Sequence, residues 1–143
     1  MSTALLLDTH IALWLDSGSN KLRPATRDAI DECWHGGGSI LLSAVSAWEI
    51  ALLVDTARIE LDVPVRSWVE RFLDQPAVEA VPLSHTAACS GYQLHQLEHR
   101  DPADRLLIAT AIELACPLVT YDERILTFDQ HYGRQHGFTA LRA

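Results

Sequence analysis

The sequence is short of lysine, cysteine and aromatic residues, and it has no surplus of positive charge. Lys21 is the only lysine among eleven basic residues, and nineteen acidic residues bring the formal net charge to -8. So acidic a balance excludes a simple basic nucleic-acid module, which needs cations to displace the counterions of phosphate. Cys33, Cys89 and Cys116 stand apart with no Cys-x-x-Cys pair. They supply neither a disulfide framework nor a zinc site, and each is expected as a small core residue of a cytoplasmic protein. There is no Gly-x-Gly-x-x-Gly and no Gly-Lys-Ser/Thr loop to cradle a nucleotide phosphate. No apolar run reaches the length of a membrane span. The run Ala4 to Leu7 follows no basic residue and is closed by Asp8, so a signal peptide is not expected either.

What is present is a globular composition, 48% hydrophobic, in 143 residues. That length fits one domain spanning 1–143. Short apolar runs read as buried strands at 4–7, 39–42, 78–83 and 117–121, with a last edge strand at 138–141. Between them, helical stretches are expected at 9–16, 24–34, 44–57, 64–73, 84–97 and 102–115, and a turn at 133–137. Strands alternating with helices predict an α/β fold with a parallel sheet covered on both faces.

In such a sheet ligands bind beyond the carboxyl ends of the strands. Asp8 and Asp122 fall at two of those ends, although each could simply cap the segment that follows. Glu49 lies in the apolar stretch Ala44 to Val54, where an unpaired carboxylate would cost several kcal/mol. Two arrangements account for it. Ser46 and Glu49 could form a capping box, or Ser43 could cap a longer helix on which Ser46 and Glu49 share one polar stripe. Asp101 reads as a helix cap ahead of Pro102, and Asp104 adjoins the buried face begun by Leu106. If the sheet gathers Asp8, Glu49, Asp104 and Asp122, repulsion becomes decisive. Each pair about 5 Å apart costs roughly 3 kcal/mol at an effective dielectric near 20. Such a cluster must take up protons or bind cations, and hard oxygen donors suit Mg²⁺ or Mn²⁺.

The stretches Leu6-Leu-Asp-Thr-His10 with Leu13-Trp14, Ser43-x-x-Ser46-x-x-Glu49-Ile50, His99-Arg-Asp-Pro-Ala-Asp-Arg-Leu-Leu-Ile-Ala109 and Leu118-Val-Thr-Tyr-Asp122 resemble, in this order, the PIN-domain ribonucleases. The likeness is to the VapC toxins of bacterial toxin–antitoxin pairs. It implies a PIN-like α/β/α sandwich with a central parallel β-sheet and a metal-dependent RNA endonuclease using Mg²⁺ or Mn²⁺. By the same resemblance, Asp8, Glu49, Asp104 and Asp122 match the acidic catalytic and metal positions. Thr120 matches a Ser or Thr that orients a water or carboxylate, and Asp101 supports the set. The expected partners are an RNA substrate, a cognate VapB-type antitoxin, and a second copy in a homodimer within a toxin–antitoxin hetero-oligomer. Ala103 departs from the aromatic residue common at that position. Arg100, Arg105 and Arg124 lie beside the acids, each as a phosphate contact or a structural ion pair.

Other readings fare worse. A haloacid-dehalogenase-type phosphatase needs a second Asp where His10 stands, and a receiver domain needs a late lysine. His95-x-x-x-His99 would place two imidazoles on one helix face without an acid in register. The non-enzyme alternative is a catalytically silent PIN scaffold acting as a binding module, against which all four acids are retained.

Overall fold

The computed structural model describes residues 4–98 and 101–143; His99 and Arg100, and with them the His95–His99 pair and one of the three arginines, lie outside the described residues. Five strands, β1 (Ala4–Leu7), β2 (Ser39–Ser43), β3 (Val78–Val81), β4 (Leu118–Thr120) and β5 (Ala140–Arg142), form one parallel sheet in the order β3-β2-β1-β4-β5. The helices are α1 (Thr9–Ser17), α2 (Pro24–His35), α3 (Ala44–Asp55), α4 (Val65–Leu73), α5 (His85–Ser90), α6 (Pro102–Leu114) and α7 (Glu123–His136).

Strand alternation divides the core into two layers. Leu5, Leu7, Ile40, Leu42 and Val119 point to one face, where Ile11, Ile30, Trp68 and Phe72 cover them. Leu6, Leu41 and Leu118 point to the other and meet Leu107, Ile108, Ile125 and Phe128. Helices α1, α2 and α4 therefore cover one side and α6 and α7 the other, the expected α/β/α sandwich. Helix α3 starts directly from β2 and joins the layers, with Ile50 in one and Val45 in the other. Its outer surface leaves Trp48 57% and Leu52 45% exposed.

The chain runs outward from β1 through β2 to β3, then returns to the opposite side of β1 for β4 and β5. The switch point lies between β1 and β4, where the crevice beyond the strand ends is a binding site by topology.

Three expectations are corrected. The segment 84–97 is not one helix: α5 ends at Ser90 and a 3₁₀ turn, Gly91–Gln93, follows. The carbonyls of Gly91, Leu94 and Leu97 accept instead from the Arg105 guanidinium, at 3.1, 3.3 and 2.7 Å. His95 therefore sits in a turn rather than on a helix face. The turn expected at Gly133 is displaced to Gly137, because α7 continues through Gly133, whose missing side chain leaves room for the Phe138 carbonyl. Cys33 and Cys116 are buried as expected, but Cys89 is exposed, on the outer side of short α5. Among the described residues no helix is long and apolar enough to cross a membrane.

Candidate active site

The parallel register sets Asp8 beside Thr120. Leu6 pairs with Leu118 and Leu7 with Val119, and the Asp8 amide donates to the Val119 carbonyl at 2.9 Å. Asp8 is itself the cap of α1: one carboxylate oxygen accepts from the Thr9 amide and the other from the Thr120 hydroxyl, both at 2.7 Å. The Thr120 hydroxyl in turn accepts from the Asp122 amide at 3.1 Å. One threonine thus ties the two strand-end acids together.

Glu49 reaches the same crevice from α3. Ser43 caps that helix, accepting from the Val45 amide at 3.0 Å, so the capping-box arrangement at Ser46 is not adopted. Ser46 and Glu49 share the stripe that faces α1, and the Thr9 hydroxyl oxygen lies 3.0 Å from Ser46 Oγ and 2.5 Å from Glu49 Oε1. A hydroxyl has one proton to give. The carboxylate is the stronger acceptor, which leaves Ser46 to donate to Thr9. The sequence reading gave Thr9 no role, although its place directly after a strand-end acid was the available signal.

Asp101 caps α6, accepting from the amides of Ala103 at 2.9 Å and Asp104 at 3.4 Å. Ala103 is buried beneath that first turn, and Asp104 is buried beside it. Asp122 caps α7 by accepting from the Arg124 amide at 2.8 Å.

The acids act on one another. Burial, then the charges of Asp8, Asp101, Glu49 and Asp122, push the Asp104 carboxyl up to about 8. Burial also raises Asp8; the Thr120 and Thr9 hydrogen bonds oppose it, and the charges of Asp122 and Asp101 add to it. Glu49 is raised by burial and by Asp8 and Asp101, against the Thr9 hydrogen bond and the nearby His10. The four acids therefore belong to one electrostatic unit. Among the described residues, no three Asp, Glu, His or Cys side chains close into a ligand cage.

The arginines separate. Arg105 is buried, its fork taken by the three carbonyls of the 91–97 segment, with its guanidinium carbon 5.5 Å from the Tyr92 ring centre. It is a structural clamp and not a phosphate contact. Arg124 keeps an exposed side chain 3.6 Å from Asp122.

A family model for the PIN domain matches residues 5–131. The chain belongs to the PIN-domain family. This PIN domain is 35% identical over 123 residues to Ribonuclease VapC22 of Mycobacterium tuberculosis, covering 86% of this chain and 90% of the relative. That relationship places it among the VapC proteins. Solved structures share its fold. VapBC2 from Rickettsia felis, bound to a promoter DNA fragment, superposes with a TM-score of 0.66 at 18% identity over 99% of each chain. DNA-bound VapBC from Salmonella typhimurium gives 0.62 at 18% identity over 99% of this chain and 98% of that one. FitAcB from Neisseria gonorrhoeae gives 0.60 at 18% identity over 96% of each.

Proposed function

We propose that this PIN domain is a metal-dependent endoribonuclease and the toxin of a toxin–antitoxin pair. The observation that carries the reading is electrostatic. Acids from four separate segments share the switch-point crevice closely enough to hold Asp104 near 8. A fold has no structural need for such a cluster, which costs stability.

The donor set fits Mg²⁺ or Mn²⁺: carboxylates with threonine and serine hydroxyls behind them, and no imidazole or thiolate among them. Mg²⁺ keeps several waters and takes one or two carboxylates, so a closed protein cage is not required. Asp8, Glu49, Asp104 and Asp122 would hold it, some directly and the others through its retained waters, and it would lower the pKa of a water and offset charge on the phosphate. Thr120 fixes one oxygen of Asp8 and so aims the other lone pairs into the crevice. Thr9 does the same for Glu49. Without metal Asp104 carries a proton near neutral pH; a bound cation would displace that proton and leave the carboxylate as a ligand.

The relative is named a ribonuclease, and the neighbours are toxin–antitoxin complexes. An RNA substrate, a VapB-type antitoxin, a homodimer and a cytoplasmic setting follow by analogy. The exposed Trp48 and Leu52 on α3 support association with another chain.

The test is cleavage of a single-stranded RNA by the purified chain. Activity is expected with Mg²⁺ or Mn²⁺ and none in EDTA. Glu49→Gln should lose more than the roughly 100-fold that losing an outer hydrogen-bond partner of a metal ligand costs. Thr120→Val should lose about 10–100-fold. Cleavage that persists in EDTA, or full activity in Glu49→Gln, would overturn the reading.

A further inference from the structure

The crevice continues past its acids onto an aromatic wall. Tyr121 stands in sequence between Thr120 and Asp122, and it is 43% exposed. The Trp14 ring lies against it with centroids 4.7 Å apart, and His10 meets it edge-on at 5.8 Å and 85°. The two sequence neighbours of Tyr121 are tied to each other and to Asp8 through the Thr120 hydroxyl, so Tyr121 sits at the border of the acids. On its far side, His10 and Trp14 line a groove of about 420 Å³ that also takes in Lys21 and Arg58.

Charge in that groove is unevenly paired. Asp16 and Asp62 both face Arg71, at 3.6 and 3.4 Å. Glu60 is the remaining acid in the lining. The Lys21 ammonium lies 5.9 Å from the centre of the Trp14 ring, and among the described residues neither Lys21 nor Arg58 forms an ion pair. The groove therefore sets two cations without ion pairs beside stacked aromatics, with Glu60 as the one lining acid not held by Arg71. Single-stranded nucleic acid is bound by this combination, with bases on aromatic faces and phosphates along cations. An apolar peptide would use the aromatics but leave the cations idle.

We infer that Tyr121, backed by Trp14 and His10, is a stacking platform for a base of single-stranded RNA, and that Lys21 and Arg58 contact the phosphates leading away from the acids. The inference rests on the nuclease reading, and names the residues by which that site holds its substrate.

The experiment measures equilibrium binding by anisotropy, in EDTA, of a labelled unstructured RNA of about twelve nucleotides, within the span of one single-strand site. Cleavage of the same RNA in Mn²⁺ is followed in parallel. Tyr121→Ala should weaken binding about tenfold, the lower part of the range for losing one base–aromatic stack, and Tyr121→Phe should restore it. Replacing single bases by abasic ribose should find one position where the wild-type chain loses as much and Tyr121→Ala loses nothing further. Lys21→Ala and Arg58→Ala should each lower the slope of log affinity against log salt by about 0.7.

Unchanged melting of each variant shows that the fold is intact. If the wild-type chain binds and cleaves RNA but Tyr121→Ala binds equally well, the platform is wrong while the nuclease reading stands, and the groove belongs to a protein partner. If Phe fails to restore binding, the ring is not the binding element and stacking is overturned. If the wild-type chain neither binds nor cleaves, both readings fall.

Discussion

Asp8 and Thr9 are adjacent in sequence, yet they secure opposite walls of the crevice. Asp8 takes the Thr120 hydroxyl from β4, and Thr9 reaches Glu49 on α3. Asp104 is the residue with the strongest consequence for pH. Its carboxyl is moved from an ordinary 3.8 to about 8. Between those values the folded chain holds a proton that the unfolded chain has released. Folding therefore takes up a proton, and stability falls as pH rises until it levels off above about 8. Asp104→Asn removes this loss. Without added metal it should melt higher than the wild-type chain by about 4 °C or more above the shifted pKa, a conservative reading of 2–4 °C per kcal/mol. The gain should shrink steadily as pH falls toward 3.8, and it vanishes only below that value, where the wild-type side chain becomes neutral in both states. The same variant should be inactive. Thermal melts across this pH range decide the matter, and a gain independent of pH would show that Asp104 does not titrate within the acidic unit.

At the scale of elements, the strands, most helices and the acids at strand ends were legible because short apolar runs and capping residues are local signals. Ser43 and Asp101 both cap as their sequence positions suggest. What was not legible depended on contacts distant in sequence. The amphipathic pattern of 84–97 gives no hint that Arg105 will take its carbonyls, and Gly133 looks like a turn until Phe138 is seen closing over it. Thr9 gained a role only when α3 was brought alongside α1. Arg105 stood open between a phosphate contact and a structural ion pair for the same reason; it is buried against backbone carbonyls instead. Its removal should act on stability. Arg105→Ala leaves carbonyls without their charged donor and should cost about 2–4 kcal/mol in urea unfolding, with Arg105→Lys recovering part of it. The salt dependence of RNA binding by the folded fraction should be unchanged. A reduced salt slope with unaltered stability would restore the phosphate-contact role.

For the whole molecule, the acidic net charge and the sheet topology converge on one expectation. Outward winding on both sides of β1 opens the crevice between β1 and β4, and the chain places like charges there instead of apolar cover. The folded state therefore carries a repulsion that the unfolded chain, with its acids far apart, does not. A divalent cation that binds only the folded arrangement should relieve it and raise the melting temperature through mass action. At a Mn²⁺ concentration about ten times its dissociation constant the gain is roughly 1.4 kcal/mol, or about 3–6 °C for a domain of this size. Asp8→Asn should respond in the opposite sense on the two sides of the comparison. Without metal it melts higher than the wild-type chain, because one buried charge is gone, and with Mn²⁺ it gains little. Substituting an exposed acid remote from the crevice, Glu70→Gln, tests whether general charge reduction explains the result, and it should leave the Mn²⁺ response intact. If Asp8→Asn kept the full Mn²⁺ response, the ion would be bound elsewhere on the acidic surface, and the crevice would owe its acids to something other than metal.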